Sequence, residues 1–219
     1  MELIINSNTC VGAEIYQRLR LQYASPLIGT LIPNDLEYLE YVKKFKQLIN
    51  SDIQCNLIPK DNTVFERQSC SKYYQHAHIS TPYPIIHMGT TDIHCIHDTG
   101  SDATRVKFMR RIDRMKNIMK TESYKIVNVM VFTEFLNIHE NYEDIIKTFL
   151  SNNADDTINI FLGPEKYKIP VDTIKNAYIP VKEWDDISLD RDGSFVMNHN
   201  NQHVSSSLLS QFILKLFLI

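Results

Sequence analysis

The 219-residue sequence predicts an α/β fold: one domain, 1–219, built as a Rossmann-like three-layer sandwich around a mostly parallel sheet. Three observations lead there. Short apolar runs alternate with segments whose apolar residues recur every three or four positions, the pattern of successive βαβ units. The run Lys125–Phe132 reads as a buried strand, as the interior of a parallel sheet requires. No internal repeat is present, which sets a solenoid aside.

Leu3-Ile4-Ile5 opens as a strand and runs through Asn6–Cys10 into a helical pattern from Val11 to about Leu21, with Asn8 and Thr9 as capping types. Ser25-Pro26 marks a turn, and Leu27–Ile32 reads as a second strand closed by Pro33-Asn34-Asp35. Leu36, Leu39, Val42, Phe45 and Ile49 place a helix over about 35–50. The stretch 51–84 is an irregular insertion or flap of short strands and loops. Asp92–Asp98 reads as a strand, followed by a helix capped by Ser101 or Asp102 with an apolar face of Val106, Met109, Ile112, Met115 and Met119. A helix over Ile138–Leu150, strands at Thr157–Leu162 and Ile174–Val181, and a C-terminal amphipathic helix at 205–219 complete the order.

Composition narrows the class. With 43% hydrophobic and 22% charged residues the chain has the makeup of a folded protein rather than a disordered one. Its net charge of -3 argues against coating a nucleic acid, which needs a basic surface to neutralise phosphates. The start Met1–Asn6 lacks the pattern of a signal peptide, and no run reaches the roughly 18 apolar residues of a membrane span. The four cysteines are scattered, without C-x-x-C spacing, so reduced thiols and a cytoplasmic location are expected. G-x-G-x-x-G and the P-loop motif are absent, so neither a nicotinamide cofactor nor P-loop chemistry is expected, and no other cofactor is implied.

Ligands of open α/β sheets bind beyond the carboxyl ends of the strands. That rule selects Asn6–Cys10, His94–Asp98 and Thr133-Glu134. A thiol such as Cys10 at a helix start is biased towards thiolate, and with His94 or His97 as base and Asp98 as orienting group it has the parts of a cysteine nucleophile; packing is the structural alternative. His94 and His97, three apart on a strand, point to opposite faces and cannot share a metal from a regular strand, so no metal site is expected. Arg110, Arg111 and Arg114, with Arg105 and Lys107, make the main basic feature, suited either to a diphosphate or to a solvated face balanced by Asp102 and Asp113. Tyr73, Tyr74, Tyr83 and Trp184 could line a sugar site or serve as packing, and Asp190–Gly193 reads as a turn.

The segments Asn6–Tyr16 and Tyr23–Gly29, with Tyr83-Pro84, Asp92–His97 and Arg110–Arg114, resemble a bacterial and viral family labelled exopolysaccharide-biosynthesis proteins. The resemblance spans roughly 3–165. Ala13, Val11 and Asp98 depart from its pattern, in place of a second glycine and two aromatics. A weaker resemblance, through the cysteine-containing opening and the arginine helix, is to papain-like cysteine peptidases, which would make Cys10 the nucleophile. The first resemblance implies a glycosyltransferase-like transferase in glycan biosynthesis that takes an activated sugar such as a nucleotide sugar. Asn6, Asn8, Ser25, Glu134 and the three arginines would then bind substrate. Two other expectations stand beside it: a cysteine hydrolase or acyltransferase, and a non-catalytic module whose C-terminal helix seats a partner or a second copy as a homodimer. The wealth of isoleucine, asparagine and lysine suits an AT-rich viral genome, with the host cytoplasm as location.

Overall fold

The structure is a computed structural model that describes residues 1–9, 11–32, 34–57, 83–96, 98–121, 123–131, 142–151, 156–164, 169 and 175–181. Cys10, Tyr73, Tyr74, His97, Glu134, Trp184, Asp190–Gly193, most of the 51–84 insertion, residues 138–141 and the 205–219 helix lie outside the described residues.

The elements run β1 (Glu2–Ser7), α1 (Val11–Arg18), α2 (Asp35–Leu48), β2 (Ile53–Leu57), β3 (Pro84–Met88), β4 (Thr91–His94), α3 (Ser101–Met119), β5 (Tyr124–Val131), α4 (Tyr142–Leu150), β6 (Thr157–Pro164) and β7 (Asn176–Val181). They build a mixed α/β molecule with two sheets. One is a four-stranded, all-parallel sheet in the order β1-β5-β6-β7, and the other a separate antiparallel sheet in the order β2-β3-β4. The expectation of one mostly parallel sheet is corrected here. Gly89, with φ of 65°, turns β3 straight back into β4 as a hairpin, and β2 pairs antiparallel with the other edge of β3.

The predicted strand at Leu27–Ile32 is also corrected. Pro26 and Gly29, the latter at φ 68°, keep the segment in turns, and only Leu31 pairs, as an isolated bridge to His94. That bridge ties the second sheet to the neighbourhood of β1, since the next residue, Ile32, donates its N–H to the Asn8 carbonyl at 3.0 Å. α2 forms where the pattern placed it. Asn34 caps it, its Oδ1 accepting from the N–H groups of Leu36 and Glu37. α3 turns most of the predicted face inward: Ile112 and Met115 are buried, and Met109 and Met119 pack partly buried against the core. Thr104 and Phe108 are buried beside them, while Val106 is 68% exposed.

β1 is an edge strand, and Tyr16 of α1 closes that edge. The buried hydroxyl accepts from Ile5 N–H at 2.7 Å and donates to the Leu3 carbonyl at 3.2 Å, two groups that a further strand would have taken. Burial pushes its proton affinity up to about 12, so it stays a hydroxyl and keeps its donor. Over the parallel sheet an aromatic chain links the layers: Tyr38 of α2 lies 6.2 Å from Phe149 of α4, which meets Phe161 of β6 at 6.3 Å, and Phe161 stacks on Tyr178 of β7 at 5.3 Å.

Candidate functional site

One row of the parallel sheet is polar. Asn6, Asn128, Asn159 and Asn176 are in register across all four strands, and each is at most 4% exposed. Asn6 Nδ2 donates to Asn128 Oδ1 at 3.3 Å, Asn128 Nδ2 to Asn159 Oδ1 at 3.0 Å, and Asn159 Nδ2 to Asn176 Oδ1 at 3.0 Å. In-register parallel pairing makes this possible, because it stacks identical side chains at strand spacing. Ser25 feeds the row, its hydroxyl donating to Asn6 Oδ1 at 2.8 Å while accepting from Leu27 N–H at 3.1 Å. Asn6 and Ser25, both expected to meet substrate, therefore have their side chains joined to each other inside the molecule.

Asn8, the next residue on the same side of β1, organises the carboxyl end of the sheet. Its amide donates to the Val131 carbonyl at 3.0 Å and accepts from Val131 N–H at 2.8 Å, extending the β1–β5 ladder by a side chain where the strand has ended. Its backbone carbonyl holds Ile32. Its amide also meets the carboxyl of Asp35, the first residue of α2. Asp35 is 3% exposed, and its Oδ1 has no hydrogen-bond partner among the described residues. Burial raises this carboxyl to about 7, against which the Asn8 hydrogen bond pulls only weakly. Sequence reasoning passed over Asp35 as a turn residue. Its place in the first turn of α2, where acids are favoured by the helix dipole, gave no local sign of burial.

The other predicted residues lie in separate settings. His94 ends β4, 2% exposed, with Tyr83 Oη at 3.1 Å from its Nδ1. Burial lowers it to about 4, so it is neutral at physiological pH. Asp98 forms an ion pair with Lys107 of α3 at 2.7 Å. Arg111 and Arg114 clamp the loop between α1 and α2: Arg111 donates to the Ile28 carbonyl at 2.8 Å and Arg114 to the Tyr23 carbonyl at 2.9 Å. Ser25 sits between those two anchors. Arg110 is exposed, on the rim of a shallow depression of about 490 Å³ that it shares with Glu2, Asp113 and Arg114. Among the described residues no cluster of three His, Cys, Asp or Glu could hold a metal ion, and no helix is long and apolar enough to cross a membrane.

A family profile described as a domain of unknown function, DUF1919, matches residues 1–125. The chain belongs to the DUF1919 family. No curated protein matches it. The DUF1919 stretch runs from β1 to the first residues of β5, so it supplies Asn8, Ile32 and Asp35, while Val131 at the far end of β5 lies beyond it.

Proposed function

We propose that this chain is a transferase of glycan biosynthesis, Rossmann-like in build, that binds an activated sugar at the carboxyl end of β1 and β5. The observation that carries the reading is the convergence made by Asn8, whose backbone and amide draw the segment before α2 and the end of β5 onto the end of β1. Ligand sites of parallel α/β sheets form at that end. The resemblance of Asn6–Tyr16 and the arginine helix to exopolysaccharide-biosynthesis proteins supplies the substrate class. A guanidinium has five N–H donors, so Arg111 can moor the 23–28 loop at Ile28 and still offer donors to a diphosphate.

Calorimetry against nucleoside-diphosphate sugars tests the reading. Saturable binding to at least one sugar nucleotide is expected, with Arg111→Ala weakening it. A panel in which no member binds overturns the reading and leaves a non-catalytic module. The rival cysteine hydrolase or acyltransferase would need a histidine base beside Cys10. His94 suits that role poorly, because burial at the end of β4 disfavours its protonated form.

A further inference from the structure

The buried acid at the carboxyl end of the sheet has chemistry that its surroundings do not use. A carboxyl oxygen taken out of water and left without a donor is rare in folded proteins, because the lost hydration is not replaced. Asp35 is in that state: Asn8 holds the group on one side, and Oδ1 has no partner among the described residues. It does not act as the helix cap, since Asn34 fills that position. Its backbone is fixed by the first turn of α2, and the amide that holds it is itself fixed by two hydrogen bonds to Val131. The carboxyl is thus held on a rigid support beside the end of β1 and β5, the end at which ligands of parallel α/β sheets bind.

We propose that Asp35 is the catalytic base of the site, its Oδ1 taking the proton of a ligand hydroxyl, with Asn8 as the positioning residue that orients the carboxyl. This deepens the transferase reading and rests on it for the identity of the reaction. In the transfer step the acceptor O–H proton passes to Asp35 Oδ1 and the acceptor oxygen forms a bond to the anomeric carbon of the activated sugar. The bond from that carbon to the phosphate oxygen breaks, and the nucleoside diphosphate leaves with the electron pair. An acid raised to about 7 by burial is matched to that exchange near neutral pH. The charged groups nearest along the first turn, Glu37 with Asp92 behind it, act on each other, whereas the proton affinity of Asp35 is set by burial and Asn8.

The full chain, labelled with ¹³C at the aspartate carboxyls, gives a readout independent of any donor. The Asp35 signal, assigned by its loss in Asp35→Asn, is expected to titrate near neutral pH and to shift on addition of free hexoses as hydroxyl ligands. With a sugar nucleotide that turns over, Asp35→Asn is expected to lower kcat by about 10²–10⁴-fold with KM little changed. Asp35→Glu should retain part of the rate with a displaced pH profile, and Asn8→Ala should displace the wild-type profile. An Asp35 signal that titrates near 4, or that hexoses leave unmoved, overturns the assignment, as does transfer by Asp35→Asn at the wild-type rate. If no donor turns over yet hexoses move the Asp35 signal, the transferase reading falls and the hydroxyl-binding acid stands.

Discussion

A cysteine can serve as a nucleophile only to the extent that it is thiolate, and burial pushes two of the four cysteines, Cys55 and Cys95, towards the thiol form. Burial raises the thiol of Cys55, and the pull of Arg105 does not cancel it. Cys95, 1% exposed, is raised further by burial and then by Asp98. Iodoacetamide at pH 7 is therefore expected to leave Cys55 and Cys95 largely unmodified over a time that alkylates every thiol in denaturant. Peptide mapping reads the result, and the cysteine-enzyme reading requires Cys10 to label well ahead of both. Labelling of Cys95 at the rate of a free thiol would remove the argument from burial. The same residue-by-residue view says how far the site was legible. Asn6 and Asn8 are legible because polar residues after a first strand sit at a sheet end, and Ser25 is legible only through the family resemblance. What they do there depends on partners such as Asn128 and Val131, more than a hundred positions away, and that pairing follows from sheet register. Arg111 and Arg114 were read from helical spacing as one basic face, but spacing along a helix carries no information about the carbonyls opposite. Asp35 was missed because its burial comes from the approach of α2 to β1, which local composition does not encode.

Two elements make sharp claims about stability. The β3–β4 hairpin turns at Gly89, whose φ of 65° disfavours a side chain and where a Cβ would come within 2.5 Å of Leu48 Cδ2. Gly89→Ala is expected to cost about 1–3 kcal/mol in urea unfolding, the upper part of that range if Leu48 cannot move aside. A cost near zero would mean that the turn relaxes without strain. The asparagine row is the other element. Asn128 is an inner member, so Asn128→Leu removes both the acceptor of the Asn6 amide and the donor to the Asn159 oxygen. A half-satisfied buried network is worse than either a complete one or none, and a loss of about 2–4 kcal/mol is expected. A stable Asn128→Leu protein would show that water or rotamer changes repair the row. Element by element, periodicity read the fold well where one side of a segment is buried against a neighbour. α2, β5 and β6 fall close to their predicted bounds, because helix capping and long apolar runs are local signals. Leu27–Ile32 has the composition of a strand but its first half is a turn and it makes only one bridge, so composition alone misplaced it. The antiparallel sheet was read as part of a parallel one because alternation of strands and helices does not report which strands pair.

At the scale of the whole molecule, Asp35 and His94 are two buried groups, among the described residues, whose shifts pull the pH dependence of stability in opposite directions. Asp35 is raised to about 7 in the folded protein, whereas an unfolded aspartate titrates near 4. Between those values the folded state holds the extra proton, so this contribution is full below about pH 4 and is lost as the pH rises towards 7. His94 is lowered to about 4, whereas an unfolded histidine titrates near 6.5. Here the unfolded state holds the extra proton, so the contribution is full above about pH 6.5 and is lost as the pH falls towards 4. Each slope is limited to about 1.4 kcal/mol per pH unit, and the two have opposite signs over nearly the same window. The wild-type protein is therefore expected to have a nearly flat stability profile from about pH 4.5 to 6.5. Asp35→Asn removes one slope, and its stability should rise with pH across that interval. His94→Gln removes the other, and its stability should fall. Urea unfolding at pH 4.5, 5.5, 6.5 and 7.5 separates the three profiles, and the slopes matter more than the absolute values, which each substitution also alters by packing. Parallel profiles for wild type and Asp35→Asn would mean that Asp35 is ionised in the folded protein, with its Oδ1 satisfied by a donor.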